Sequence, residues 1–183
     1  MIAIPVNVLA RLDIDIPLPR SARTAAAQGH AGSVAKIWTL ANTLPDLYTS
    51  LGWPHVPEAY GVRCETGQAV AAFQLAAPDS ANATERAVVG ALSARHPGAS
   101  FRTPFWHDWL SDTWSRGTWC TYRPGQAAGW YDLASVPGPC FFAGGDLSRR
   151  WVGWMDGALT SGADAAERAL EYLNWGSSKP VRG

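Results

Sequence analysis

The stretch that most restricts this chain runs from Phe141 to Gly162, FFAGGDLSRRWVGWMDGALTSG. An apolar strand end, Phe141-Phe142, gives way to Ala143-Gly144-Gly145, a turn whose missing side chains let a backbone approach something closely. Asp146 can accept a hydrogen bond or cap a helix. Trp151 and Trp154 follow, then Met155, Gly157, Ala158 and Gly162 at spacings that suit a closely packed helix. A helix starting near Gly153 aims its free amides and partial positive charge at whatever lies over the turn, favouring an anion or an electron-rich ring. The stretch reads as the floor of a ligand site.

The same residues resemble the C-terminal signature of flavin-containing amine oxidases of the monoamine oxidase type. The matching elements are Phe142-Ala143-Gly144, Asp146, Trp151-Val152-Gly153-Trp154-Met155 and Gly157-Ala158 with Ser161-Gly162. In that family they enclose the isoalloxazine ring. The resemblance therefore implies FAD binding by Gly144, Gly145, Asp146, Trp151, Gly153 and Met155.

A second block, Phe101 to Gly125, resembles the family's passage through Asp108-Trp109, Gly117, Trp119, Tyr122, Pro124 and Gly125. It adds Trp109 to the cofactor-binding set. Many members carry tyrosines at the positions of Trp119 and Trp154, forming an aromatic cage before the flavin. Here both are tryptophan, and two facing rings would confine an amine by shape and π-face electrostatics. Packing of either ring in a core is the ordinary alternative. Thr118 stands where animal monoamine oxidases have a cysteine bound to the flavin, which implies non-covalent FAD. Cys120, two residues on, is expected to be a buried bystander.

Ten tryptophans among 183 residues are unusual, and seven fall between Trp106 and Trp154. Such clustering favours a flat-walled aromatic cavity. Fifteen basic and fifteen acidic residues cancel, which gives no reason to expect a nucleic-acid or anionic-membrane surface. Cys64, Cys120 and Cys140 lack C-x-x-C spacing and argue for a reducing compartment. His30, His55, His96 and His107 have no paired ligand spacing, so no metal site is expected. No apolar run reaches membrane-spanning length and no secretory leader is evident, so a cytoplasmic protein is expected.

Along the chain, Met1 to Val6 reads as a β-like run limited by Pro5. Val6 to Pro19 reads as a helical turn and an alternating strand, and Ser21 to Gln28 as an Ala-rich helix with Ser21 as cap. Gly29 to Thr39 matches the family strand whose lysine holds a water near the flavin. That likeness makes Lys36 a catalytic residue with Trp119 and Trp154, against the plain alternative of a solvated strand lysine. Leu47 to Gly67 is rich in turn residues, Ala69 to Leu75 reads as a buried strand, and Ala83 to Arg95 as an amphipathic helix. Gly129 to Pro139 reads as a loop, Pro139 to Phe142 as a strand, and Lys179 to Gly183 as a frayed tail.

No G-x-G-x-x-G follows a strand, so the chain has no Rossmann cradle for a dinucleotide. The expectation is an α+β fold: a mixed-sheet substrate-binding domain portion over 1–110, a flavin-contacting segment over 111–175 returning to an FAD-binding domain, and a tail over 176–183. Either the polypeptide is a fragment, or, as its opening at Met1 favours, it is a split gene product whose second polypeptide carries the Rossmann half and shares the FAD. The activity implied is oxidation of a small-molecule amine to an imine. The alternatives are a non-catalytic subunit of a flavoprotein complex, or an amino-acid oxidase in which Arg63 or Arg102 would meet a carboxylate.

Overall fold

The computed structural model describes residues 1–13, 15–75 and 81–177. In chain order the elements are α1 (Val6–Leu9), α2 (Arg20–Gln28), β1 (Val34–Asn42), β2 (Tyr48–Leu51), β3 (Glu58–Cys64), β4 (Gly67–Leu75), α3 (Ala81–Arg95), β5 (Ser100–Phe101), α4 (Ala127–Ala134) and α5 (Met155–Ser177). They form two compact units, one of residues 1–32 and 112–183, the other of residues 33–111. Among the described residues no helix is long and apolar enough to cross a membrane.

The first unit is helical. Val6 and Leu9 of α1, Ala22, Ala25 and Ala26 of α2, and Trp130 and Leu133 of α4 bury their side chains together with Phe142 and Leu147. Alanines on α2 let α4 come close, and Gly129 completes the crossing. A Cβ there would lie 2.7 Å from both the Ala25 methyl and the Ser21 carbonyl oxygen. This corrects the loop expected over 129–139, since its first half is α4. The glycine that suggests a loop in sequence is needed here for helix contact.

Two more local expectations fail. Ser21 does not cap α2: Pro19 occupies the cap position, and the Ser21 hydroxyl donates to Asp132 on α4. Proline suits a helix entry because its φ is preset and the helix does not need its missing N–H. The alternating residues before Pro19 form no described strand, Ile14 lying outside the described residues. Strand pairing at 139–142 is confined to a single parallel bridge between Ile2 and Phe142, in which Ile2 N–H donates to Phe141 O (2.8 Å) and Ala143 N–H to Ile2 O (3.0 Å).

The second unit is a five-stranded sheet in the order β2-β3-β4-β1-β5. Every pairing in it is antiparallel, which corrects the mixed sheet expected from sequence. The short hairpin joining Cys64 to Gly67 makes β3 and β4 antiparallel, because a parallel pair needs a long crossover. Two strands, β2 and β3, occupy the turn-rich stretch of 47–67. One sheet face carries Ala35, Ile37, Ala59, Val70 and Ala72, buried with Val88 and Leu92 of α3. Alternation puts Lys36, Trp38, Ala71, Phe73, Tyr60 and Val62 on the other face. The 23-residue helix α5 reaches Ser177, and the tail expected over 179–183 lies outside the described residues.

Candidate functional site

In the helical unit, two turns stack where the sequence places its glycines. Gly144 adopts φ +147° and leads into a 3-10 turn over Gly145–Leu147. The Gly153 N–H donates to the Gly145 carbonyl at 3.0 Å, tying this turn to the one that enters α5. Gly153 has φ +76°, and a Cβ on it would sit 3.1 Å from the Cys120 nitrogen and 3.2 Å from its carbonyl oxygen. Backbone therefore lies on backbone here, and the chain neighbours of this contact are Trp119 and Trp154.

Several hydrogen bonds hold the first turn. Gly144 N–H donates to Ser161 Oγ of α5 (3.2 Å), Val6 N–H to Asp146 Oδ2 (3.2 Å), and the Tyr122 hydroxyl to the Asp146 carbonyl (2.6 Å). Asp146 is thus an acceptor for the start of α1, and its backbone is fixed from a third segment. Trp151 is a non-glycine residue with φ +53°, a conformation costing roughly 1–2 kcal/mol. Its carbonyl accepts the Trp154 N–H at 3.0 Å, closing the turn that begins the helix.

The side chains these turns present are large, apolar and open. Trp151 is 66% exposed, Trp154 68%, Met155 85% and Trp119 43%. Burying such groups is worth roughly 1.5–3 kcal/mol each, so their collective exposure leaves an uncovered apolar surface around a helix N-terminus. A Cβ on Gly144 would meet nothing within 4 Å, leaving the glycine backbone accessible as well.

Lys36 and Trp109 belong to the sheet unit. The Lys36 ammonium lies 5.0 Å from the Trp38 ring centroid and 5.6 Å from that of Phe73, directly opposite on β4. Lys36 is exposed on the sheet's open face, while its strand neighbours Ala35 and Ile37 are buried on the other face. Trp109 packs edge-on against His107 at a centroid distance of 4.3 Å. Next to it, Asp108 accepts the Ser111 hydroxyl and the amides of Leu110 and Ser111, and these bonds hold its carboxyl below the usual range.

One cluster escaped the sequence. His30, Cys120 and Asp146 bring their potential ligand atoms within 4.8 Å of one another. Burial lowers the His30 pKa, opposed by the Asp146 carboxylate and assisted by Arg123. Burial, then the same carboxylate, pushes the Cys120 thiol up to about 12. His30 Nδ1 accepts the Gly32 N–H at 2.9 Å, which in a neutral ring puts the proton on Nε2 and makes that atom a donor. A metal-bound imidazole normally donates its second nitrogen's proton instead. The cluster therefore has the chemistry of a buried polar contact. No spacing rule finds it, since its members stand far apart in sequence.

The family model described as flavin containing amine oxidoreductase matches residues 1–170. Pseudooxynicotine dehydrogenase from Pseudomonas sp is 32% identical over 94% of this chain and 36% of its own length. (S)-6-hydroxynicotine oxidase from Paenarthrobacter nicotinovorans is 27% identical over 93% of this chain and 40% of its own. Cyclohexylamine oxidase from Brevibacterium oxydans has the same fold, with a TM-score of 0.74 at 20% identity, over 94% of this chain and 42% of that one. The chain thus spans about two-fifths of the length of these proteins.

Proposed function

Because the chain belongs to the flavin-containing amine oxidoreductase family, we propose that it supplies the ring-facing and substrate-facing residues of an FAD-dependent amine oxidase or dehydrogenase. A second polypeptide carries the Rossmann half, and the two share one non-covalent FAD. The observation that carries this reading is the exposed group of Trp151, Trp154 and Met155 standing on the paired glycine turns at the start of α5.

The residues present fit a flavin. Gly144 offers open backbone, and the first amides of α5 have no acceptor within their own helix. A 23-residue helix directs partial positive charge at that point, which favours negative charge on a ring placed there. Gly144, Gly145, Asp146, Trp151, Gly153 and Met155 hold the group.

When bound, FAD supplies the two-electron acceptor for oxidation of an amine to an imine, which water hydrolyses to a carbonyl. Trp119 and Trp154 act as the aromatic cage. They hold the amine nitrogen between ring faces and exclude water, which favours the neutral amine over its ammonium form. Lys36 orders a water beside the reacting atoms. Holding the amine in a reactive pose supplies much of the rate. Two relatives are named for pseudooxynicotine and 6-hydroxynicotine, so amines of that kind are the first to test.

The test is to purify the chain alone and together with a polypeptide bearing the nucleotide-binding half, and to record visible spectra. The pair is expected to be yellow and to bleach anaerobically with a suitable amine; the chain alone is expected to be colourless. Flavin retained by the chain alone sinks the shared site, and a yellow pair that no amine bleaches sinks the oxidase.

A further inference from the structure

Within the sheet unit, a groove of about 490 Å³ runs where α3 lies beside the segment that follows β5. Its floor is apolar and shallow, with Val89 and Gly90 on the helix side and Phe101 and Pro104 on the other. Gly90 keeps that floor open, since a Cβ there would have nothing within 4 Å. Val88 and Leu92 of the same helix are buried with Ala35 and Ile37. The groove therefore stands on the side of the sheet opposite Lys36, and the amine-oxidation reading does not use it.

Two guanidinia border this floor, those of Arg86 and Arg102. Both residues are exposed, and among the described residues the ion pair present joins Arg63 to Asp46, so neither arginine has a charged partner. Arg102 is anchored by its backbone: its N–H donates to Leu40 O (2.8 Å), and its carbonyl accepts the Thr39 hydroxyl (2.7 Å). Its guanidinium, with five N–H donors in a fixed fork, is left for another acceptor. The opposing charge in the groove is Glu85, whose Oε1 accepts the Trp106 indole N–H at 3.1 Å. Two cations against one anion leave one positive charge unbalanced, and the Thr103 hydroxyl adds a neutral donor beside it.

We propose that this groove binds a small arylalkanoate, its carboxylate on the Arg86 and Arg102 guanidinia and its ring over Phe101, Pro104 and the open backbone at Gly90. A carboxylate matches the guanidinium fork through paired hydrogen bonds, which a point anion does not. A single one neutralises the unbalanced charge, whereas a second negative group would face Glu85 and be repelled. The apolar floor takes the ring, and a volume of this size accommodates a ligand of about a dozen heavy atoms. Because both arginines are exposed, the charge contributes only about fivefold in affinity.

The probes are 4-phenylbutyrate and 4-phenyl-1-butanol, which share a ring and chain and differ in charge. Trp106, bonded to Glu85 at the groove, is the reporter: its indole N–H resonance is followed by NMR in the full 183-residue chain. Phenylbutyrate is expected to shift it at about fivefold lower concentration than the alcohol, and added salt is expected to shrink that preference. Arg86→Gln combined with Arg102→Gln is expected to abolish the preference and leave the alcohol's titration unchanged. Gly90→Leu, which sets a side chain on the floor and favours the helix, is expected to weaken both probes. Equal titration by the two probes in the unsubstituted chain, or no shift with either, overturns the inference. So does a preference that survives loss of both guanidinia, or full binding to Gly90→Leu. A Trp106 resonance that moves with protein concentration in the absence of probe makes the groove a contact between copies of this chain, which also overturns it.

Discussion

Replacing two helical glycines by alanine should produce opposite results. In α3, Gly90 has nothing within 4 Å of where a Cβ would stand. Alanine there limits the unfolded chain and favours the helix, a gain of about 0.5–1 kcal/mol. In α4, Gly129 has the same propensity argument in its favour. Its new methyl, however, would lie 2.7 Å from the Ala25 methyl and from the Ser21 carbonyl oxygen. Neither neighbour is the end of a flexible side chain, so the helices must part, at an overpacking cost of about 1–3 kcal/mol. The cost exceeds the gain, and Gly129→Ala should destabilise by about 1–2 kcal/mol. With urea m-values of about 1–3 kcal/mol per molar, the two variants should move the midpoint in opposite directions, by roughly a quarter to half a molar for Gly90→Ala and half to one molar for Gly129→Ala at a mid-range m-value. Urea titration by far-ultraviolet circular dichroism measures this. A Gly129→Ala variant stabilised as much as Gly90→Ala would refute the close approach of α2 and α4.

Other substitutions probe the turns and the chemistry. Gly153→Ala forces a side chain into φ +76° against the Cys120 backbone, and in the reconstituted pair should weaken FAD retention about tenfold or more, measured by dialysis. Trp154→Leu should slow anaerobic flavin reduction about tenfold to a hundredfold in stopped flow, and unchanged rates would favour a scaffolding role. Lys36→Met should slow flavin reduction or reoxidation without releasing FAD. The Cys120 thiol, pushed up to about 12, should resist iodoacetamide at pH 8.5 while exposed Cys64 reacts, as peptide mass spectrometry would record. Its folded pKa lies above the ordinary thiol value. Its contribution to stability is therefore full below about 8.5 and lost as pH rises through about 12.

What the sequence determined by itself was local order. The run from Phe141 to Gly162 specifies a strand end, a glycine turn and a helix start because each step depends on neighbours in the chain: no Cβ at the turn, then apolar residues at helical spacing. The helix ending at Arg95 and the strand ending at Leu75 were legible for the same reason, through Val88 and Leu92 on one and Val70 and Ala72 on the other. Tertiary structure decided whatever depends on partners distant in sequence. Gly129 reads as a loop residue until Ala25 lies against it, and Ser21 as a cap until Asp132 takes its hydroxyl. Likewise, His30, Cys120 and Asp146 converge with no spacing between them to announce it, and Arg86 and Arg102 border one groove only because α3 lies beside the segment after β5. Periodicity tells a residue which face of its own element it occupies, whereas which residues share that face across strands and helices follows from pairing and close packing.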